Sequence, residues 1–207
     1  MRKLLVATTN AGKLKEISDF LSGLPVEIIS LKDAGIDEDI EENGKTYEEN
    51  SKAKALFYAK KSGLPAIADD GGIEMEELDG APGVKSKRWI GKNSTDKDIL
   101  GHMIEISKKL KNRKAKFKTV ITLALPSAEM WSVNGEVKGI ISKDPYLKLL
   151  KGYPYRSFFY LPKIKKYYHE NQLTKEEEKE YNHRYKAIKK LKPILIKTLG
   201  LKDLNDK

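Results

Sequence analysis

Asp69-Asp70-Gly71-Gly72 places two adjacent carboxylates at the carboxyl end of a short apolar strand read over Pro65–Ala68. Two like charges there face desolvation and mutual repulsion unless a cation or hydrogen-bond donors stabilise them. Ligand sites of α/β sheets gather at strand carboxyl ends, and a carboxylate in that place can hold magnesium or take a proton from water. The same four residues also make a plausible Asx-type turn. A second acidic stretch, Glu41-Glu42-Asn43-Gly44, precedes Glu48-Glu49-Asn50 and then Lys52 and Lys54. It offers further metal-ligand oxygens, or it simply complements the positive end of the helix it leads into. A third stretch, Thr8-Thr9-Asn10-Ala11-Gly12-Lys13, joins a strand to a helix. Such a junction aims backbone N–H groups at one point and suits phosphate, with Thr8 and Asn10 as neutral donors and Lys13 as a point charge. It is not a Walker motif, and an ordinary βα turn with a surface lysine has the same form. The fourth stretch is Asn182-His183-Arg184, in a basic helix, where His183 and Arg184 can meet a base and a phosphate or merely face solvent.

The elements that must position these groups follow from periodicity. Lys3–Thr8 and Val26–Leu31 predict strands, with a helix through Leu14, Ile17, Phe20 and Leu21 between them, stopped by Gly23 and Pro25. Thr46, with Glu49 three residues on, predicts an N-cap for a helix running to about Ser62 and ended by Gly63. A helical stretch follows over Asp96–Leu110, then strands over Phe117–Leu125 and Met130–Val133. Asn134-Gly135 is the strongest hairpin signal in the chain, with Glu136–Ser142 as the returning strand. Phe158–Leu161 adds another strand, Glu176–Leu191 a charged helix, and Ile194–Leu199 continues its apolar face. Alternating strands and helices with a central hairpin predict an α/β fold with a mixed sheet and flanking helices.

At 207 residues the chain suits one domain spanning 1–207, in two lobes around a central cleft. Its hydrophobic content of 39% is enough for a packed core. The absence of cysteine excludes disulfides, thiolate zinc sites and a cysteine nucleophile. The three histidines, His102, His169 and His183, are scattered, so a divalent ion would have to be held by carboxylates and water, which favours a hard cation such as magnesium. The apolar run at the amino terminus is too short for a signal peptide, and no apolar stretch approaches the roughly 20 residues of a membrane span. A cytoplasmic protein is expected. The net charge of +10 is uneven: residues 1–100 carry 15 Lys/Arg against 19 Asp/Glu, and residues 101–207 carry 25 against 11. A basic half is the footprint of nucleic acid, of a solvated surface, or of the phosphate-facing wall of a cleft whose other wall is acidic.

In order, these stretches resemble the inosine triphosphate pyrophosphatase family, from residue 3 to about 190. The most specific match is Ala68-Asp69-Asp70-Gly71-Gly72-Ile73-Glu74, then Leu78-Asp79-Gly80-Ala81-Pro82-Gly83-Val84-Lys85-Ser86-Lys87-Arg88, with serine in the family where Gly71 stands. Thr8, Asn10 and Lys13 fit its opening T-x-N-x-x-K. Gly44-Lys45-Thr46-Tyr47-Glu48-Glu49-Asn50-Ser51-Lys52-Ala53-Lys54-Ala55 fits its G-K-T-F-x-E-N-A-x-x-K-A, and Gly135–Ile140 fits its middle hairpin. The resemblance implies hydrolysis of inosine- and xanthosine-type (deoxy)nucleoside triphosphates to monophosphate and pyrophosphate, removing them from the nucleotide pool. It implies a magnesium ion on Glu42 and Asp70, and Asp70 as activator of the attacking water with Asp69 and Lys13 in support. Thr8, Asn10, Lys13, Lys54 and Gly71 would lie along the substrate, and His183 and Arg184 would reach the nucleotide. A homodimer is common in the family.

The match breaks at the base pocket. The family's G-F-G-Y-D-P is here Gly152-Tyr153-Pro154-Tyr155-Arg156-Ser157, its serine before histidine-arginine is Asn182, and its base-contacting lysine falls on Glu178, with Lys179 one place off. An acid and a base have exchanged signs, which suggests that Arg156 and Glu178 still pair and that Arg156 supplies a donor to the base. Tyr153 is the aromatic best placed to stack on it, although aromatic residues at a strand start more commonly pack in a core. The same departures fit a pyrophosphatase for pyrimidine or modified nucleotides, or an inactive nucleotide-binding relative. A nucleic-acid-binding module using the basic half is the alternative outside enzymes; no membrane partner is expected.

Overall fold

The computed structural model describes residues 1–146 and 148–202, so Leu147 and the last five residues of the expected 1–207 domain lie outside the described residues. One mixed seven-stranded sheet has the order β2-β1-β3-β4-β5-β6-β7, formed by β1 (Arg2–Val6), β2 (Val26–Ser30), β3 (Ala66–Met75), β4 (Lys114–Ala124), β5 (Met130–Ile141), β6 (Phe159–Leu161) and β7 (Lys166–Tyr167). β1 runs parallel to both β2 and β3, with Val6 opposite Ser30 and Ile67; β6 is antiparallel to β5 and β7. The helices are α1 (Ala11–Leu21), α2 (Tyr47–Ser62), α3 (Asp96–Lys109), α4 (Lys175–Tyr181) and α5 (His183–Leu199). Among the described residues, no helix is long and apolar enough to cross a membrane.

The chain forms two compact units, and the boundaries fall inside β3, β4 and β5 and after the first residue of α5. The first unit comprises Met1–Asp70, Thr119–Gly135 and the chain from Arg184 onward. Leu4, Leu5 and Val6 are wholly buried, as parallel strands covered on both faces must be. Leu4 and Val6 share a core with Ile17 and Leu21 of α1, Ile67 of β3, Ile121 and Leu123 of β4, and Ala187, Ile188, Leu191 and Leu195 of α5. Their spacing in α5 makes one apolar stripe; truncating Leu191 to alanine would cost about 2–5 kcal/mol. A second core of this unit gathers Leu5, Ala55, Tyr58, Ala59, Ala66 and Ala68. The second unit, Gly71–Lys118 with Glu136–His183, is packed around Ile73, Met75, Met103, Phe117, Phe158, Phe159 and Tyr168.

The local signals for helix ends hold. Asn10 caps α1 by accepting the Lys13 N–H, Thr46 caps α2 by accepting the Glu49 N–H, and Gly63 closes α2 in the left-handed region at φ 69°. Each side-chain cap satisfies a donor otherwise left orphaned and contributes about 1 kcal/mol.

Three readings of the sequence are corrected. β3 does not end before Asp69 but continues to Met75, so the two aspartates sit inside a strand. The extended path is possible because both carboxylates find polar partners, and because Gly72 carries no Cβ: one would run into Ser86 Oγ and the Gly83 carbonyl. The Ser86 hydroxyl there accepts the Ile73 N–H at 3.1 Å. Asn134-Gly135 is not a hairpin. β5 runs straight through it, and the reversal lies at Leu125–Glu129, where the Leu125 N–H donates to Glu129 O at 2.9 Å and Ala128 takes φ 75°. An Asn-Gly turn needs positive φ at both residues, whereas the alternation of buried Gly135 and Val137 with exposed Glu136 and Lys138 favours a continuing strand. The charged helix expected over Glu176–Leu191 is two helices, divided at Asn182, which is wholly buried with extended backbone (φ −88°, ψ 118°). The short strand β7 had too few residues to show a period.

Candidate functional site

In the first unit the site begins where β1 gives way to α1. Thr8 Oγ1 accepts the Asn10 N–H at 3.2 Å, and Asn10 Oδ1 accepts the Lys13 N–H at 3.1 Å. The hydroxyl and amide thus shape the turn and leave Lys13 in the first turn of α1, its ammonium ion-paired with Asp69 Oδ1. Asp69 is also gripped from α5, where Arg184 Nε donates to Oδ2 at 3.0 Å, and from β4, where the Thr119 hydroxyl donates to the same oxygen. Arg184 in turn pairs through Nη1 with Glu16 of α1. Burial alone would raise Asp69, but the guanidinium and the Lys13 ammonium outweigh it and hold Asp69 well below the ordinary carboxylate range. Asp69 is therefore held as an anion around neutral pH.

Asp70, the next residue, has a different balance. Strand alternation sends its side chain to the other face, where Asn50 Nδ2 of α2 donates to Oδ2 at 2.9 Å. Lys54, one helical turn after Asn50, pairs with Glu42 at 2.5 Å and donates to the Asp69 carbonyl at 2.8 Å. Burial penalises the charged form of Asp70 most; Lys54 offsets part of this, Glu42 adds to it, and the carboxyl is pushed up to about 6. Burial pulls Lys54 down, yet Asp70 and Glu42 together win and raise it, so it stays cationic.

The cluster therefore holds four acids, Glu16, Glu42, Asp69 and Asp70, against three bases, Lys13, Lys54 and Arg184. Glu16 and Asp69 are met by Arg184 and Lys13, and Glu42 by Lys54. Asp70 feels the charges of both Lys54 and Lys13. Two carboxylates with water suit a hard divalent ion. Among the described residues no group of three or more His, Cys, Asp or Glu is arranged around a common metal position, so any ion here would draw its remaining oxygens from water or ligand.

The other predicted residues lie in the second unit. Gly71 follows Asp70 in β3. Arg156 is 3% exposed, with its guanidinium carbon 4.0 Å from the Tyr153 ring centre and 4.4 Å from that of Tyr168. Arg156 Nη2 donates to the Tyr168 hydroxyl at 3.4 Å, and that hydroxyl meets His183 Nδ1 at 2.9 Å. His183 also stacks on Phe117 at 5.3 Å. The two neighbours in sequence thus serve different units, His183 in this aromatic group and Arg184 on Asp69. The interruption at Asn182 sits directly before them.

Glu16, Asn50, Thr119 and Tyr168 were missed as site residues. Lys13/Glu16 and Asn50/Lys54 sit three and four residues apart on their helices, a spacing that puts them on one face, and that was the one local signal available. A separate depression of about 600 Å³ in the first unit, lined by Arg2, Lys3, Leu64, Leu125 and Lys197 among others, contains none of these residues.

The architecture and the site define an open mixed-sheet α/β protein with a largely buried carboxylate–lysine cluster beside a strand–turn–helix junction. The chain belongs to the Ham1 family, whose sequence profile matches residues 4–194. It is 40% identical over 199 residues to a dITP/XTP pyrophosphatase of Thermoanaerobacter pseudethanolicus, covering 95% of this chain and 98% of that protein. Among solved structures it is similar to a HAM1 protein from Coxiella burnetii (33% identity, TM-score 0.81) and to the Staphylococcus aureus Ham1 protein (31% identity, TM-score 0.80). Each covers 95% of this chain and 100% of the solved one.

Proposed function

We propose that the chain is a nucleoside-triphosphate pyrophosphatase that hydrolyses dITP- and XTP-type nucleotides to monophosphate and pyrophosphate. Family membership and relatives bearing that activity in their names support the reaction. The observation that carries the assignment to this cluster is the state of Asp70. It is a buried carboxyl raised to about 6, with Glu42 beside it and Lys54 shared between them.

In this reading Lys13, the N-terminal end of α1 and Lys54 neutralise the polyphosphate, which brings about four negative charges and would otherwise repel an attacking water. Glu42 and Asp70 would hold a magnesium ion, which supplies charge neutralisation for the departing pyrophosphate. Asp70 accepts the proton of the water that attacks the α-phosphorus, and the bond to the β-phosphate oxygen breaks. Thr119 and Arg184 keep Asp69 charged, and Asp69 keeps the Lys13 ammonium in place. Asp69 thus acts through Lys13 and not on phosphorus. Thr8 and Asn10 shape the turn along the phosphates, with Gly71 following the carboxylates. Tyr153, Arg156 and His183 supply the aromatic and donor groups for the base. Arg156 offers N–H donors, which suit the O6 acceptor of inosine and xanthosine and not the amino group of adenosine. A homodimer in the cytoplasm belongs to the same reading.

Pyrophosphate release measured across inosine, xanthosine, adenosine and pyrimidine triphosphates, with and without magnesium, is the direct test. Release from inosine or xanthosine substrates that needs the metal is expected. No release from any triphosphate would overturn the assignment, and release confined to pyrimidines would move the substrate class.

A further inference from the structure

Asn50 touches both segments that carry the carboxylates. Its Nδ2 donates to Asp70 Oδ2 at 2.9 Å, and its Oδ1 accepts the Gly44 N–H at 2.8 Å, two residues beyond Glu42. The side chain is 2% exposed, so neither bond competes with bulk water. The Gly44 contact also fixes which way the amide faces: an acceptor must point at the backbone N–H, which leaves the amide donors for Asp70. Gly44 is glycine for the same close approach, because a Cβ there would lie 2.6 Å from Asn50 Oδ1 and 2.8 Å from Glu49 Cβ. Lys54, one turn along the same helix, pairs with Glu42 and so supplies charge, not orientation.

We propose that Asn50 is a positioning residue for the cation site, a buried strap that holds the Glu42-bearing segment and Asp70 at one mutual spacing so that both carboxylates can serve one divalent ion. The proposal rests on the reading of Glu42 and Asp70 as the ligands. Groups that orient metal ligands through hydrogen bonds typically change metal affinity by about 10–100-fold when removed. Asn50 differs from a ligand in that its loss weakens the ion without deleting an oxygen. Excess metal therefore restores turnover.

The test is direct titration with Mn2+, which shares the oxygen-ligand preference of Mg2+ and is read by electron paramagnetic resonance without substrate. Wild type, Asn50→Leu, Gly44→Ala, the double variant, Glu42→Gln and Asp70→Asn are compared. The expected result is an Mn2+ dissociation constant raised about tenfold or more in each of the strap variants, with the double variant no worse than the weaker-binding single. Both changes break the same strap, so their effects must be strongly non-additive. Turnover by Asn50→Leu should return at saturating Mg2+ with an unchanged nucleotide KM. Leu195→Ala, which perturbs the core of the same unit far from the carboxylates in sequence, gives a comparison of lowered melting temperature with unaltered Mn2+ binding. If Asn50→Leu does not fold, Gly44→Ala carries the test from the other end of the strap. Mn2+ affinity within about twofold of wild type in the folded strap variants, or additive effects, overturns the proposal. If Glu42→Gln and Asp70→Asn bind Mn2+ as wild type does, the ligand reading itself fails, and this outcome is separate from any behaviour of Asn50.

Discussion

Replacing Asp70 by asparagine should abolish activity and, in the metal-free protein, increase stability. The side chain is 5% exposed, and burial pushes its carboxyl up to about 6 from the ordinary 3.8. A raised value means that the native state binds the proton more tightly than the unfolded chain. The contribution to stability is therefore complete below pH 3.8 and is lost as the pH rises to 6. At about 1.4 kcal/mol per pH unit, the gap between 3.8 and 6 makes charged Asp70 cost about 3 kcal/mol at pH 8. Near pH 4 the cost falls below about 1 kcal/mol. Asparagine removes the charge and keeps an oxygen to accept from Asn50, so Asp70→Asn should gain most of this at pH 8 and little at pH 4. The assay is urea unfolding in the presence of a chelator. Of the two tryptophans, Trp131 lies in the first unit and Trp89 in the second. A Trp89→Phe background thus lets fluorescence follow the unit that contains Asp70. Equal or lower stability of the variant at pH 8, or a gain independent of pH, would refute the view that this carboxylate is buried with incomplete compensation.

Arg184→Met should destabilise by about 3–5 kcal/mol, since it leaves Glu16 and Asp69 as buried anions; chemical denaturation checks this, and a change under about 1 kcal/mol would mean that solvent reaches them. Activity should fall with it even where the variant is folded, because Asp69 would lose the cation that keeps its carboxylate in place beside Lys13. Arg156→Ala should flatten the preference among inosine, xanthosine, adenosine and pyrimidine triphosphates in kcat/KM; an unchanged order of substrates would remove Arg156 from base recognition.

How much of this was legible in the sequence depended on the range over which each feature is decided. Asn10, Thr46 and Gly63 act within four residues of their own positions, so their roles could be read from neighbours in the chain. The Asn134-Gly135 signal was equally local and misleading. A turn propensity of that kind is small beside the packing of a strand whose alternating face is already buried at Gly135 and Val137. The apolar run alone places the aspartates just after a strand over Pro65–Ala68. What keeps them inside β3 comes from Thr119, 50 residues from Asp69, and from Arg184, 115 residues away. No pattern in a short window reports that distance. The division at Asn182 was hidden for the same reason: Glu176–Leu191 has helical composition throughout, and the partners of the two residues directly after the break, Tyr168 for His183 and Asp69 for Arg184, lie far off in the chain.

The cluster also gives one pair of adjacent aspartates two different surroundings, which suit the two roles proposed for them. A strand sends neighbouring side chains to opposite faces, so Asp69 and Asp70 meet different surroundings while sharing one backbone. Asp69 faces Lys13, Arg184 and Thr119 and is held far into the ionised range. Asp70 faces a neutral amide, a shared ammonium and another acid, and is raised to about 6. The first arrangement makes a permanent anion that anchors a lysine. The second makes a carboxyl near neutrality, able to change its proton or to welcome a cation. Exchanging the two environments, for example by giving Asp70 an arginine of its own, would remove the base and metal-ligand roles proposed for it. Pairs of acids whose environments drive their proton affinities apart mark the division of labour at a site, and here the division follows from the pleat of one strand.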